Sequence, residues 1–460
     1  MLNDKTRGRK FSTPCFSSME EYSYLCAKFS SMEEYFAALE KYNFWNGHVP
    51  ELGFLRKNYT DKIIDYTDNK LVKVLVGQRR VGKSYTLRQV AHKLLLQGVN
   101  PKNIFYVNKE FTDFDFLVDY KNLETLLRLF KERLKPEGKV WLFIDEIQNI
   151  TGWEHFVNSY SQDFVDSYEI FISGSNAQML SGELATLLSG RYVCFEIFPF
   201  SFTEYCSFMQ KEVTKQSYVS YMESGALPEL FVLPNEETRR NYVSTIKDTV
   251  LLRDIIQRHN IKDPKLLEDV FVYLVNNASN LTTITNIVNY FKSHNRKTTY
   301  DTLSNYVHYI KETFLVHRAE RYDIRGKDTL LGNCKYYIND LSFKNYLYSG
   351  FGYGVGYKLE NLIYLELRRA GYEVYVGTMR NKEVDFVAKK GDRLLYLQCA
   401  YLLADEQTVQ REYASLLAIP DHQLKILVSL DEVTLPSNNG VRHVQAWKLA
   451  ELLKNLKNSY

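Results

Sequence analysis

The chain is short of the features that would assign it to a special class. Its six cysteines (Cys15, Cys26, Cys194, Cys206, Cys334 and Cys399) lie far apart, with no C-x-x-C pair. That spacing fits neither a zinc site nor a disulfide framework, and it suits a reducing compartment. No apolar run reaches membrane-spanning length. The opening MLNDKTRGRKFSTPCF is basic but has no apolar stretch of the secretory kind, so a cytoplasmic protein is the expectation. Excess charge is also missing: 58 Lys and Arg against 55 Asp and Glu leave +3, too little to imply a nucleic-acid partner by itself. What remains is a chain of 460 residues with ordinary hydrophobic and charged fractions, long enough for two or three domains.

Against that plain background, Gly77 to Ser84 reads GQRRVGKS, matching G-x-x-x-x-G-K-[ST] at every fixed position. Gly77 and Gly82 allow the tight backbone turns that aim successive N–H groups at phosphate oxygens. Lys83 is placed to reach the β- and γ-phosphates, and Ser84 to offer a hydroxyl to Mg²⁺. Leu71 to Val76 reads as a buried strand before the loop, and Tyr85 to Leu96 has helical apolar spacing after it. Strand, glycine loop and helix together form a phosphate site at a helix N-terminus. The nucleotide-contacting stretch is therefore Gly77, Gln78, Arg79, Arg80, Val81, Gly82, Lys83, Ser84 and Tyr85.

A second strand, Val140 to Ile144, ends in Asp145-Glu146. Asp145 is the expected second metal residue beside Ser84, and Glu146 the residue that orients and deprotonates water. A third strand, Tyr168 to Ile172, runs into Ser173-Gly174-Ser175-Asn176. Ser175 and Asn176 are both placed to touch the γ-phosphate or the attacking water, and Asn176 is taken as the catalytic candidate. Arg191 opens the strand Tyr192 to Ile197 and is a candidate for stabilising transition-state charge, in its own site or in a neighbour's. The catalytic set is thus Lys83, Glu146, Asn176 and Arg191, with ATP and Mg²⁺ as the ligands.

The domain reading follows the pattern changes. FSSMEEY occurs at Phe16 to Tyr22 and again at Phe29 to Tyr35, which reads as a tandem duplication in an extension spanning 1–41, with translation start sites at Met19 or Met32 as alternatives. Alternating strands and helices mark an ATPase core at 42–210 and a helical lid at 211–260. Helical spacing at Leu266 to Asn276, Thr283 to Phe291 and Thr299 to Thr313, followed by a strand at Leu315, suggests a winged helix at 261–329. Such a module either reads DNA with its third helix or packs internally; the mixed charge around Arg296 and Asp301 favours packing. A helix at Leu359 to Leu367 and strands at Tyr372, Glu383 and Leu394 give 330–460 the layout of a PD-(D/E)xK nuclease, with carboxylates at Glu360 and Asp385. The expected Glu-x-Lys is Gln398-Cys399-Ala400, so an inactive fold is expected there.

The order of motifs resembles a bacterial and archaeal group of AAA-type P-loop ATPases that carry a C-terminal domain of unknown function with a degenerate restriction-endonuclease-like core. The strings that carry the likeness are GQRRVGKS at Gly77, LFIDEIQ at Leu142, ISGSNAQML at Ile172, LSGRY at Leu188, FPFSFTEY at Phe198, LENLIYLELRRAGYEVYVG at Leu359 and EVDFVA at Glu383. The resemblance implies an α/β fold and ATP binding by Gly77 to Ser84, with Asp145 and Glu146 as metal and water residues. An ATPase acting as a regulatory switch, with a protein partner, is the leading expectation; an ATP-dependent DNA-binding or DNA-cleaving protein is the alternative.

Overall fold

Runs of β-branched and aromatic residues bounded by polar turns build the first sheet of this computed structural model, which describes residues 32–180, 187–188, 190–349, 354–379 and 382–458. The strands are β1 (Val72–Val76), β2 (Ile104–Asn108), β3 (Val140–Asp145), β4 (Tyr168–Gly174) and β5 (Tyr192–Glu196), in the spatial order β2-β3-β4-β1-β5. All pair in parallel. β1 to β4 are buried along their whole length, as strands covered on both faces must be. Because β4 lies between β1 and β3, three strand ends meet side by side. The loop after β1, Ser173 to Asn176, and Asp145-Glu146 therefore share one edge, where open parallel sheets take their ligands.

Helices close both faces. Residues 32–42 form α1, followed by α2 (Lys57–Ile64), α3 (Lys83–Leu96), α4 (Tyr120–Leu134) and α5 (Trp153–Ser161). Leu87, Val90, Ala91 and Leu94 line one side of α3 at helical spacing and pack on Phe143 and Phe171. Leu123, Leu126, Leu127 and Phe130 of α4 cover the other face of the sheet. α1 belongs to this second layer: Leu39 is fully buried and Ala38 nearly so. Asn43, just beyond it, pairs with edge strand β2, its side chain donating to the Tyr106 carbonyl at 2.9 Å and accepting from the Tyr106 amide at 2.7 Å. The edge is thereby capped. The extension drawn as 1–41 is corrected at its end, since residues 32–41 pack on the first sheet. The first FSSMEEY copy lies outside the described residues.

Beyond the sheet come α6 (Phe202–Met209), α7 (Lys215–Ser224) and α8 (Glu236–Thr249), the last continuing as a π-helix over Val250–Gln257. Then α9 (Pro264–Asn276), β6 (Leu281–Thr282), α10 (Ile284–Ser293), α11 (Tyr300–Glu312), β7 (Val316–Asp323) and β8 (Asp328–Ile338) follow. After them lie α12 (Val355–Arg369), β9 (Glu373–Met379), β10 (Lys382–Lys390), β11 (Arg393–Ala400), α13 (Glu406–Leu417), β12 (Leu424–Ser429), β13 (Val441–Gln445) and α14 (Leu449–Asn458). Eight strands make one mixed sheet, ordered β13-β12-β11-β10-β9-β7-β8-β6. β7 pairs antiparallel with β8 and parallel with β9, with Arg321 opposite Val376. The boundary expected at 329/330 therefore falls inside β8, and the segments 261–329 and 330–460 share a single sheet. β8 was hard to anticipate because Gly332 and Asn333 interrupt its apolar run, and a bulge opposite Glu320 and Arg321 takes up the irregularity.

The second sheet is fastened to the first. Arg368 of α12 donates to Glu196 at 2.9 Å, and Arg369 reaches the carbonyls of Pro199 and Phe200 at 3.4 and 3.3 Å. Burial of Leu39 gives the first test. Leu39→Ala should lower stability by about 2–5 kcal/mol, the range for deleting a buried leucine. A chemical denaturation curve with an unchanged midpoint would contradict the packing of α1.

Candidate nucleotide site

The loop after β1 turns through left-handed backbone at Gly77 (φ 146°), Arg80 (φ 68°) and Gly82 (φ 96°). At Gly77 a Cβ would overlap the Ile197 carbonyl, so the strand-to-loop turn has room only for glycine. The loop walls a cavity of about 620 Å³. Arg79, Arg80, Val81, Gly82, Lys83, Ser84 and Tyr85 line it, with Glu146 at its floor and Phe54, Phe200 and Phe208 at its apolar end. Gly77 and Gln78 lie outside the lining. The Gln78 side chain is fully buried and turned toward the second sheet, so its expected ligand contact is confined to backbone.

Lys83 is buried beneath the loop. Its ammonium donates to the carbonyls of Gly77 at 3.0 Å and Gln78 at 3.1 Å, and stands 3.7 Å from Glu146. Arg79 forks onto Asp254 of the π-helix at 2.6 and 3.0 Å and reaches Glu110 at 2.8 Å, tying the loop to that helix. Arg80 is exposed, 3.8 Å from Glu229. The Tyr85 ring lies against Gly53 and carries the Arg88 guanidinium at 4.4 Å. Arg56 braces the loop from below: it donates to the Val81 and Phe198 carbonyls at 2.9 Å each and forks onto Glu204. No motif marks Arg56, and sequence reasoning missed it.

The two acidic residues have opposite surroundings. Asp145 is fully buried, held by the Ser173 hydroxyl, by Asn108 at 2.9 Å and by Tyr106 at 3.2 Å. Burial pushes its carboxyl up to about 6, the Glu146 charge adds to this, and the Ser173 and Ser84 hydroxyls oppose it. Ser84 and Asp145 thus present a hydroxyl and a carboxylate side by side, an all-oxygen pair that suits Mg²⁺ carried in with phosphate. Glu146 has left-handed backbone (φ 54°, ψ 44°). Burial works against its charge, yet Lys83 and Arg79 outweigh it and hold the carboxyl below its ordinary range. Its Oε2 accepts from Gln148 at 2.5 Å and from Ser175 at 3.4 Å.

Of the two candidates on the β4 loop, Ser175 is the one seated on Glu146. Asn176 is buried in the same turn, and neither of the two lines the cavity. Gln148, inside the LFIDEIQ string, was overlooked. Arg191 needs a plain correction as a residue of its own site. It precedes β5, whose Tyr192 pairs with Val72, whereas the phosphate loop follows Val76 at the other end of β1. At about 3.3 Å per residue the two ends are roughly 13 Å apart. Its guanidinium is bound locally, donating to the Leu188 carbonyl at 3.0 Å.

In the second sheet Glu360 and Asp385 do come together, but around an amine. Lys335 of β8 is 2.9 Å from Glu360 and 2.8 Å from Glu383, and Tyr337 donates to Glu360 at 2.7 Å. Asp385 accepts from the Cys399 amide at 2.8 Å, and burial, with the nearby Glu360 charge, raises its carboxyl to about 8. Gln398 is spent on Glu412 at 3.1 Å and on the Asp385 amide at 3.3 Å. Among the described residues no group of three or more His, Cys, Asp or Glu side chains is arranged to hold a metal. The ammonium of Lys335 is the positive charge that these carboxyl groups face. On α11, Asp301 and Lys311 mix signs, and Arg296 is paired with Asp269.

Comparison with known proteins agrees with the first sheet and its loop. The AAA domain family matches residues 69–206, and a domain of unknown function (DUF8612) matches 215–353, running across positions 260 and 329. An uncharacterized protein of Haemophilus influenzae is 36% identical over 380 residues, 81% of this chain and 92% of its own length. The chain belongs to this family of AAA-domain P-loop proteins. A second relative, an uncharacterized protein of Methanocaldococcus jannaschii, is 28% identical over 78% of this chain and 82% of its own. Among solved structures, a Walker-type ATPase of Pyrococcus abyssi aligns with a TM-score of 0.37 at 15% identity, covering 64% of this chain and 95% of its own. Among the described residues of this AAA-family chain, no helix is long and apolar enough to cross a membrane.

The Lys335 cluster provides the second test. Lys335→Met leaves the buried Glu360 without its cation, a loss of about 3–5 kcal/mol for a broken buried pair. Thermal unfolding of this variant at the wild-type temperature would show that the amine does not neutralise the cluster.

Proposed function

We propose that the chain binds Mg–ATP in the cavity around Lys83 and hydrolyses it to ADP and phosphate, working as a nucleotide-dependent switch. The observation that carries this reading is the placement of Glu146: ionised, on the cavity floor, fixed by Gln148 and Ser175 and 3.7 Å from the Lys83 amine. The backbone amides of the loop and Lys83 would take the β- and γ-phosphates. Ser84 and Asp145 would hold Mg²⁺, which would supply positive charge to offset what develops on the phosphate. With phosphate present, the Lys83 amine exchanges the Gly77 and Gln78 carbonyls for a stronger anionic partner. Glu146, freed of that neighbour, orients a water. With the Lys83 charge turned to phosphate its proton affinity rises, so Glu146 both positions the nucleophile and accepts its proton. The aromatic end of the cavity formed by Phe54, Phe200 and Phe208 offers a flat apolar surface for a base. The second sheet would be the recognition part whose partner reads the nucleotide state.

Two variants separate binding from chemistry. Lys83→Ala should abolish nucleotide binding. Glu146→Gln should retain ATP but turn it over about a hundredfold more slowly or worse, the usual share of a positioned acid–base group. Steady-state phosphate release at the wild-type rate from Glu146→Gln would refute its assignment. Stimulation of wild-type turnover by duplex DNA would make nucleic acid the partner; a flat response would direct the search to proteins.

A further inference from the structure

The phosphate loop is not supported by its own domain alone. Gln78, the residue after Gly77, sends its side chain out of the nucleotide cavity and into contact with the second sheet. Its Oε1 accepts a hydrogen bond from Asn339 Nδ2 at 3.0 Å, between residues 261 apart in sequence. Asn339 follows β8 directly and is itself nearly fully buried. Its amide N–H donates to the Leu315 carbonyl, and its Oδ1 is 3.0 Å from Nε2 of the buried His317. His317 Nδ1 stands 3.6 Å from Glu196, at the end of β5. So the side chain that touches the loop is held on its far side by the hairpin that opens the second sheet.

We infer that Asn339 is a positioning residue for the phosphate loop, and that through it the second sheet and the nucleotide site regulate one another. The inference rests on the proposed nucleotide site. Three features carry it. First, Gln78 is held at both ends by groups that matter: its side chain by Asn339, its carbonyl by the Lys83 amine at 3.1 Å. Drawing Lys83 onto a phosphate releases one hold while the other remains, so the loop must re-seat against Asn339. Second, the Gln78 amide nitrogen is buried without a hydrogen-bond partner. An unmet buried donor is unfavourable where it stands, which lowers the net cost of moving this side chain to another seat. Third, the residue beside Asn339 reaches the lid. Asp340 accepts from the Ala226 amide at 2.7 Å, and a Cβ on Gly225 would lie 2.6 Å from the Asp340 carboxylate. One short segment of the second sheet therefore touches both the phosphate loop and the base of the lid. Packing this tight passes a small shift onward instead of absorbing it. By linkage, whatever shifts the 339–340 segment must change nucleotide affinity, and nucleotide must change the segment by the same factor.

A double-mutant cycle tests this, using the full chain and a fluorescent non-hydrolysable ATP analogue. Asn339→Ala and Gln78→Ala should each weaken binding by about tenfold, within the roughly 5–150-fold span of such couplings. The double variant should be no worse than either single one, because both remove the same contact. Melting curves accompany each titration. Should Asn339→Ala fail to fold, Gln78→Leu breaks the contact from the loop side and takes its place. Wild-type affinity in the variants, or losses that multiply in the double variant, would overturn the coupling while leaving nucleotide binding intact. A wild-type protein that binds no nucleotide would instead overturn the proposed site itself.

Discussion

A lysine ammonium buried under a phosphate loop has to be neutralised by whatever lies within reach, and much of this structure follows from how that is done. Lys83 takes the carbonyls of Gly77 and Gln78 and the charge of Glu146. The carbonyls stay within reach because Gly77 and Gly82 curl the loop back over the helix N-terminus. The carboxylate stays ionised because Lys83 and Arg79 are there, although it is buried. One cation thus sets the loop's shape and the charge state of the residue expected to hold water. Both arrangements are ones that a phosphate would compete for, and this ties ligand entry to loop and floor together.

The same loop is where the two sheets meet mechanically. Arg56 braces it through the Val81 carbonyl, and the segment from Glu196 to Phe200 is gripped from the opposite side by Arg368 and Arg369 of α12. Gln78 and Asn339 complete the connection. An α/β ATPase core with a loosely tethered appendage would need its lid to transmit nucleotide state. Here the second sheet has its own direct contact with the loop, and the lid is fastened to it at Ala226.

Parts of the molecule written locally were legible from sequence. The strand, glycine loop and helix around Lys83 occupy contiguous residues, and the acidic pair closes a continuous apolar strand, so periodicity and motif sufficed. Even the supports of Glu146, Gln148 and Ser175, fall inside strings that had drawn notice. What could not be read depended on pairing over distance. Arg191 looked like a site residue until the register of β5 on β1 put it at the wrong end of the sheet. The boundary near residue 329 failed because β7 finds β9 across more than fifty residues, and because Gly332 and Asn333 disguise β8 as a turn. In the second sheet Ala400 stands where a Glu-x-Lys pattern would have lysine, and Lys335 reaching the carboxylates from another strand leaves no trace in spacing. α1 was set aside with its duplicated neighbour, although Ala38 and Leu39 bury as firmly as core residues do.

The central claim is that nucleotide at Lys83 is felt in the second sheet, and hydrogen exchange measures it most directly. Amide exchange would be followed by mass spectrometry with and without a non-hydrolysable ATP analogue. The account predicts slower exchange not only in the loop and lid but also across the end of β8 and residues 339–342 and along α12. Protection confined to the loop and lid, with the second sheet exchanging at the same rate in both states, would contradict it.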